Sequence, residues 1–168
     1  TQGEEQSLSF LNSKLKNLCF YFCEMKKISN INFSDKIALI RVDFNVPLNN
    51  NLIVTDNSRI VGALDTINYV IKSGGKAVIL SHLGRPKGTF ESRFSLINIV
   101  DELSKLLKQK VVFLQNYLEK STVEKIIASG PGSVFLLENM RFNKNEKLGC
   151  ESFAKEIARL GNWYINDA

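Results

Sequence analysis

At 168 residues, 44% of them hydrophobic and 23% charged, the chain has enough apolar side chain for one domain with its own core. Its net charge of +5 leaves nucleic acid, a membrane surface or a small anion open as partners. No apolar run approaches the roughly 18 residues of a membrane helix, and a lone histidine, His82, excludes a His-rich metal centre.

Residues 1–24 show no clear period and no turn logic. Met25 then opens an ordinary stretch. The expectation is an extension over 1–24 and the domain over 25–168. The alternative for the extension is a short amphipathic helix, with Leu8, Leu11, Leu15 and Leu18 at helical spacing. The apolar run 18–23 ends at Glu24, short of the roughly 7–15 residues of a signal core, so no export signal is read. Cys19, Cys23 and Cys150 are odd in number, with one distant member. They make no disulfide framework and suit a reducing cytoplasm.

Regular pattern begins at residue 35. Residues 36–42 (KIALIRV) are a short β-branched run and predict a buried strand. Residues 56–73 carry Ile60, Ala63, Leu64, Ile67, Val70 and Ile71 on one helical face. Asp56, Asn57 or Ser58 would cap this helix, and Gly74-Gly75 would end it. Residues 76–81 form a second buried strand. A helix over 96–108, a strand over 111–114, a helix over 118–128 and a strand over 133–137 follow. A helix over 151–160 and a strand over 162–165 complete the pattern. This alternation predicts α/β architecture: a Rossmann-like, doubly wound parallel sheet of right-handed βαβ units.

Ligands of open α/β sheets bind outside the carboxyl ends of the strands. The segments there are Asp43-Phe44-Asn45-Val46-Pro47, Ser81 to Gly88, Glu138-Asn139-Met140-Arg141-Phe142, and Asn166-Asp167-Ala168. Arg59, near the start of the first helix, reaches the same edge. Arg59, Arg85, Arg141 and His82 together suit an anion with several oxygens, because guanidinium groups offer paired N–H donors and stay charged. Helix amino termini add further donors. Each residue alone has a plainer role. An arginine is usually solvated, His82 can be structural, Gly84 and Gly88 can serve turn geometry, and Phe44 can plug the core. Their joint placement points to a site.

Other chemistries lack their motifs. There is no Walker loop, no G-x-G-x-x-G, no G-x-S-x-G and no supported cysteine–histidine pair. Asp43, Glu138 and Asp167 lack the further ligands of a metal site, so no metal ligand is assigned. Pairing of these carboxylates with arginines is the expectation.

R-V-D-F-N-V-P at 41–47 resembles the signature segment of the phosphoglycerate kinases. S-H-L-G-R-P-K-G at 81–88, L-L-E-N-M-R-F at 136–142, T-D-N-S-R-I at 55–60 and Y-I-N-D-A at 164–168 are similar to further segments of that family, in the same order. Met140 stands where leucine is commoner. The resemblance implies an incomplete amino-terminal lobe of a two-lobe glycolytic kinase. It implies phosphoryl transfer between 1,3-bisphosphoglycerate and ADP, giving 3-phosphoglycerate and ATP. Mg2+ with ATP or ADP would be bound by a carboxy-terminal lobe outside these residues, so the chain alone is expected to be inactive or nearly so.

The substrate-binding residues implied by the resemblance are Asp43, Phe44, Asn45, Arg59, Ser81, His82, Leu83, Gly84, Arg85 and Arg141. Asp43 and Asn45 would hold the hydroxyl and carboxylate region of the glycerate. His82, Arg85 and Arg141 would grip the distal phosphate. Phe44 and Gly84 would shape the loops, and Arg59 would be the catalytic residue, nearest the transferred group. The implied protein is a cytoplasmic monomer with no nucleic-acid or membrane partner. One rival is a nonenzymatic anion- or nucleic-acid-binding domain, which predicts a basic stripe with interleaved aromatics. The lysines are instead spread over helices and loops. The other rival is a degenerate lobe serving as an interaction module; the intact arginine, aspartate and asparagine set argues against degeneration.

Overall fold

Strand β1, Ile37–Val42, sends Ala38, Ile40 and Val42 into one apolar cluster and Leu39 into another. That period of two marks a strand buried on both faces. The structure, a computed structural model, describes residues 27–168. The expectations for 1–24, the leucine helix and Cys19 and Cys23 among them, lie outside the described residues.

Helix α1, Ser58–Lys72, buries Ile60, Ala63, Ile67 and Val70 against the first cluster. The Ser58 hydroxyl and N–H both donate to the Asp56 carboxylate, at 2.5 and 2.9 Å, and hold its pKa below the ordinary value. Asp56 thus organises the turn into the helix, while Asn57 occupies the cap position and donates to Glu102 Oε1 at 2.7 Å instead. Gly74, at φ +78°, takes the left-handed turn that stops α1.

Strand β2, Lys76–Leu80, is buried throughout. Helix α2, Val100–Leu107, strand β3, Val111–Leu114, helix α3, Lys120–Ala128, and strand β4, Val134–Leu137, follow. A short helix α4, Lys144–Lys147, precedes α5, Glu151–Ala158, and strand β5, Trp163–Asp167. The five strands pair in parallel in the order β3-β4-β2-β1-β5. α1 and α2 cover one face, burying Leu103 and Leu107 beside Ile40 and Ile79. α3 and α5 cover the other, with Ile126, Phe153 and Ile157 against Leu39, Val78 and Phe135. The sheet is therefore doubly wound, as the alternation of pattern predicts. Each fully buried Ile, Leu or Phe contributes about 1.5–3 kcal/mol relative to exposure.

Four details differ from the sequence pattern. The predicted helix 96–108 divides into a 3-10 turn, Leu96–Ile99, and α2. Ser95 Oγ accepts from the Ile97 N–H and a carboxylate takes the Leu96 N–H, so the first turn winds tightly around its caps. Residues 116–119 form a turn closed on the Asn116 carbonyl, which delays α3 to Lys120. β5 runs to Asp167 because Arg41 and Val42 still pair with Asn166 and Asp167. The single turn α4, capped by Asn143 Oδ1 on the Asn145 N–H, is too short to show a period.

β2 and β4 are neighbours, yet the chain leaves them for opposite faces, to α2 and to α5. Such a switch opens a crevice between two carboxyl ends. At the opposite end of the sheet, the buried Lys76 ammonium donates to the Ile126 and Ile127 carbonyls at 3.2 and 2.7 Å, a cation against the negative end of α3. Lys76→Met is expected to cost about 1–3 kcal/mol by leaving those carbonyls poorly paired. An unchanged guanidinium chloride midpoint would contradict this.

Candidate functional site

The loop after β1 is held from β2. Ser81, buried at the end of β2, accepts the Phe44 N–H on its hydroxyl at 2.8 Å and donates to the Val42 carbonyl at 2.9 Å. This hydroxyl supplies a ladder partner where the strands part. The Phe44 ring is fully buried and Leu83 nearly so, both in the core cluster beneath the loops. Their side chains fix the loops from below and do not face solvent. With Phe44 anchored, Asp43 and Asn45 on either side remain half-buried at the rim. Asp43 Oδ1 accepts the Asn45 N–H at 3.1 Å, an Asx turn that shapes the bend. Asp43 Oδ2 pairs with Arg59 Nη1 from the first turn of α1.

Gly84 is where the three loops meet. Its N–H donates to Asn45 Oδ1 at 2.8 Å, and its carbonyl accepts from Arg141 Nη1 at 3.1 Å. Its backbone sits at φ +63°, and an added Cβ would lie 2.3 Å from the Phe94 ring. Only glycine fits both the conformation and the contact. His82 and Arg85 flank it on the same loop, His82 half-buried and Arg85 exposed.

The loop after β4 has a buried base. Glu138 and Asn139 follow an apolar strand directly and are 4% and 0% exposed. Asn139 Nδ2 donates to the Leu83 and Phe94 carbonyls at 2.7 and 2.8 Å, and its Oδ1 caps the 3-10 turn Met140–Phe142 by accepting the Arg141 N–H at 3.0 Å. Glu138 accepts from Ser95 Oγ, Leu96 N and Asn139 N. The sequence pattern puts both residues in the loop after β4, with Glu138 as an expected partner for arginine, but gives neither a binding role and does not foresee their bracing. The available signal was a polar pair set directly against an apolar strand, which must find partners if buried.

Asp43, Phe44, Asn45, Arg59, Ser81, Leu83, Gly84 and Arg141 therefore share one hydrogen-bonded and packed network, with His82 and Arg85 on its central loop. The expected carboxylate–arginine pairing holds for Asp43. Glu138 takes neutral donors instead, because its position under the 3-10 turn Leu96–Ile99 offers a hydroxyl and backbone N–H groups. Among the described residues no three His, Cys, Asp or Glu side chains gather as a metal site. Guanidinium, imidazole and amide donors suit an anion and not a hard cation, which takes oxygen ligands. A separate cavity of about 300 Å³ lies at the amino end of the sheet, lined by Asp35, Lys76, Ile127 and Arg159. It faces helix carboxyl ends, whose partial negative charge disfavours anions. Among the described residues no helix is long and apolar enough to cross a membrane.

A family model described as phosphoglycerate kinase matches residues 28–168. A phosphoglycerate kinase of Chlorobium chlorochromatii is 43% identical over 145 residues, covering 86% of this chain and 36% of the relative. One of Aspergillus flavus is 45% identical over 157 residues, covering 84% and 38%. Among solved structures, phosphoglycerate kinase from Pyrococcus horikoshii superposes with a TM-score of 0.76 at 31% identity, covering 86% of this chain and 36% of that one. The enzyme from Coxiella burnetii gives 0.69 at 39%, covering 83% and 34%. The chain thus spans little more than a third of the length of the relatives it matches. The motifs, the doubly wound sheet and these matches agree: the chain belongs to the phosphoglycerate kinase family.

Proposed function

We propose that these residues form the glycerate side of a glycolytic phosphoglycerate kinase. In this account the carboxyl edge of the sheet binds 3-phosphoglycerate and 1,3-bisphosphoglycerate. Asp43 and Asn45 hold the hydroxyl and carboxylate region. His82, Arg85 and Arg141 grip the distal phosphate, and Arg59 lies nearest the transferred group. ADP or ATP with Mg2+ is held by other parts of the whole protein, and the described residues alone do not turn over. Location in the cytoplasm and a monomeric state belong to the same proposal.

The observation that carries this reading is the Gly84 peptide, clamped between Asn45 and Arg141 at the crevice between β2 and β4. It brings three loops with anion-binding side chains to one edge. The chemistry asks little more of them. An acyl phosphate is an activated donor, so transfer depends on in-line placement and on neutralising the equatorial oxygens. Arginine serves both needs through fixed paired donors.

Calorimetry with 3-phosphoglycerate tests the binding half. Arg85→Ala removes charged hydrogen bonds of about 1.5–3 kcal/mol, which is roughly a 10- to 100-fold loss of affinity. Wild-type affinity in this variant would refute the assignment. Binding to mixed DNA that 3-phosphoglycerate does not displace would favour a nucleic-acid function instead.

A further inference from the structure

Two buried polar residues touch the anion-binding loops without facing solvent. Asn139 is fully buried and uses both ends of its amide. One end ties the Leu83 carbonyl, next to Gly84, and the Phe94 carbonyl, beside the ring that packs on Gly84. The other end caps the turn that carries Arg141. Asn139 therefore sets the spacing between the Gly84–Arg85 loop and Arg141. Glu138 holds Asn139 in turn. Its Oε1 accepts the Asn139 N–H at 2.6 Å and the Leu96 N–H at 3.0 Å, and its Oε2 accepts the Ser95 hydroxyl at 2.7 Å. The carboxylate thereby sits at the amino end of the turns leading into α2, where partial positive charge favours it.

A buried polar group with unmet partners costs more than it returns, so such pairs persist in one arrangement when every donor and acceptor is met. Here the Asn139 donors and acceptor and both Glu138 oxygens are matched, and the segments they join are the ones bearing Arg85 and Arg141. We infer that Asn139, seated by Glu138, is a positioning residue of the anion site, fixing the distance between Arg85 and Arg141 without touching the ligand. The inference rests on the proposed glycerate site.

The test is 3-phosphoglycerate binding by the full chain, wild type against Asn139→Ala, measured well below each protein's unfolding temperature. Backbone amide spectra are recorded in parallel. Affinity is expected to fall about tenfold or more. The Gly84 and Arg141 amide signals are expected to move while those of Ile79 and Leu136 in the sheet stay in place. A purely structural residue would lower the unfolding temperature and leave the affinity of the folded protein alone. Wild-type affinity in folded Asn139→Ala overturns the inference. If that variant does not fold, Ser95→Ala decides, since it removes one donor from Glu138 and no side chain of the anion site. A fall of about threefold or more supports the inference, and unchanged affinity overturns it. Failure of the wild type to bind is a different result. It sinks the glycerate site itself, and the positioning role with it.

Discussion

Replacing Arg59 with Ala should lower kcat about 100- to 1,000-fold, the range seen when one donor to developing charge is removed. The change belongs in a chain joined to a nucleotide-binding lobe, with turnover and glycerate affinity measured together. Affinity should change by less than about threefold, because a group acting only on the transferred phosphoryl adds little to ground-state binding. The stability of the variant should hardly move. The Arg59 side chain is 52% exposed and that of Asp43 37%, and ion pairs so exposed contribute about 0–1 kcal/mol. A residue contributing so little to folding, yet held at the site's rim by an aspartate, fits a chemical role better than a structural one. Unchanged kcat would remove Arg59 from the mechanism.

The second large effect concerns the base of the site. Phe44→Ala should destabilise the domain by about 3–5 kcal/mol, the usual cost of truncating a fully buried phenylalanine. That is a large share of the roughly 5–15 kcal/mol that holds a domain together. The ring is wholly buried, and its backbone N–H is taken by Ser81. Truncation should also free Asp43 and Asn45 from their set positions and weaken glycerate binding in the protein that remains folded. Denaturant unfolding would measure the first effect. A loss under about 1 kcal/mol would show that the loop is held by other contacts.

Much of the fold is legible in the sequence because its signals are local. KIALIRV is rich in β-branched residues and VFLL is fully apolar, both of strand length. The helical face from Ile60 to Ile71 ends at Gly74, whose positive φ the residue type anticipates. The site loops follow from a topological rule, since residues after parallel strands must gather at one edge. What was not legible is the bracing. The bonds from Ser95 and Leu96 to Glu138 join residues 43 and 42 apart in sequence, and those from Asn139 to Phe94 and Leu83 span 45 and 56. No periodicity reports a partner at such distance. For the same reason Glu138, read as a partner for arginine, proved to hold a serine hydroxyl and two N–H groups. The division of 96–107 into a 3-10 turn and a helix follows from that carboxylate, which a local pattern does not contain.

A titration of the chain with 3-phosphoglycerate, followed by the backbone amide signals, tests the glycerate site directly. Saturable shifts are expected at Asn45, Gly84, Arg85 and Arg141, on the carboxyl edge of the sheet. An absence of shifts at millimolar ligand would contradict it, as would shifts confined to Lys76 and Gly161 at the opposite end.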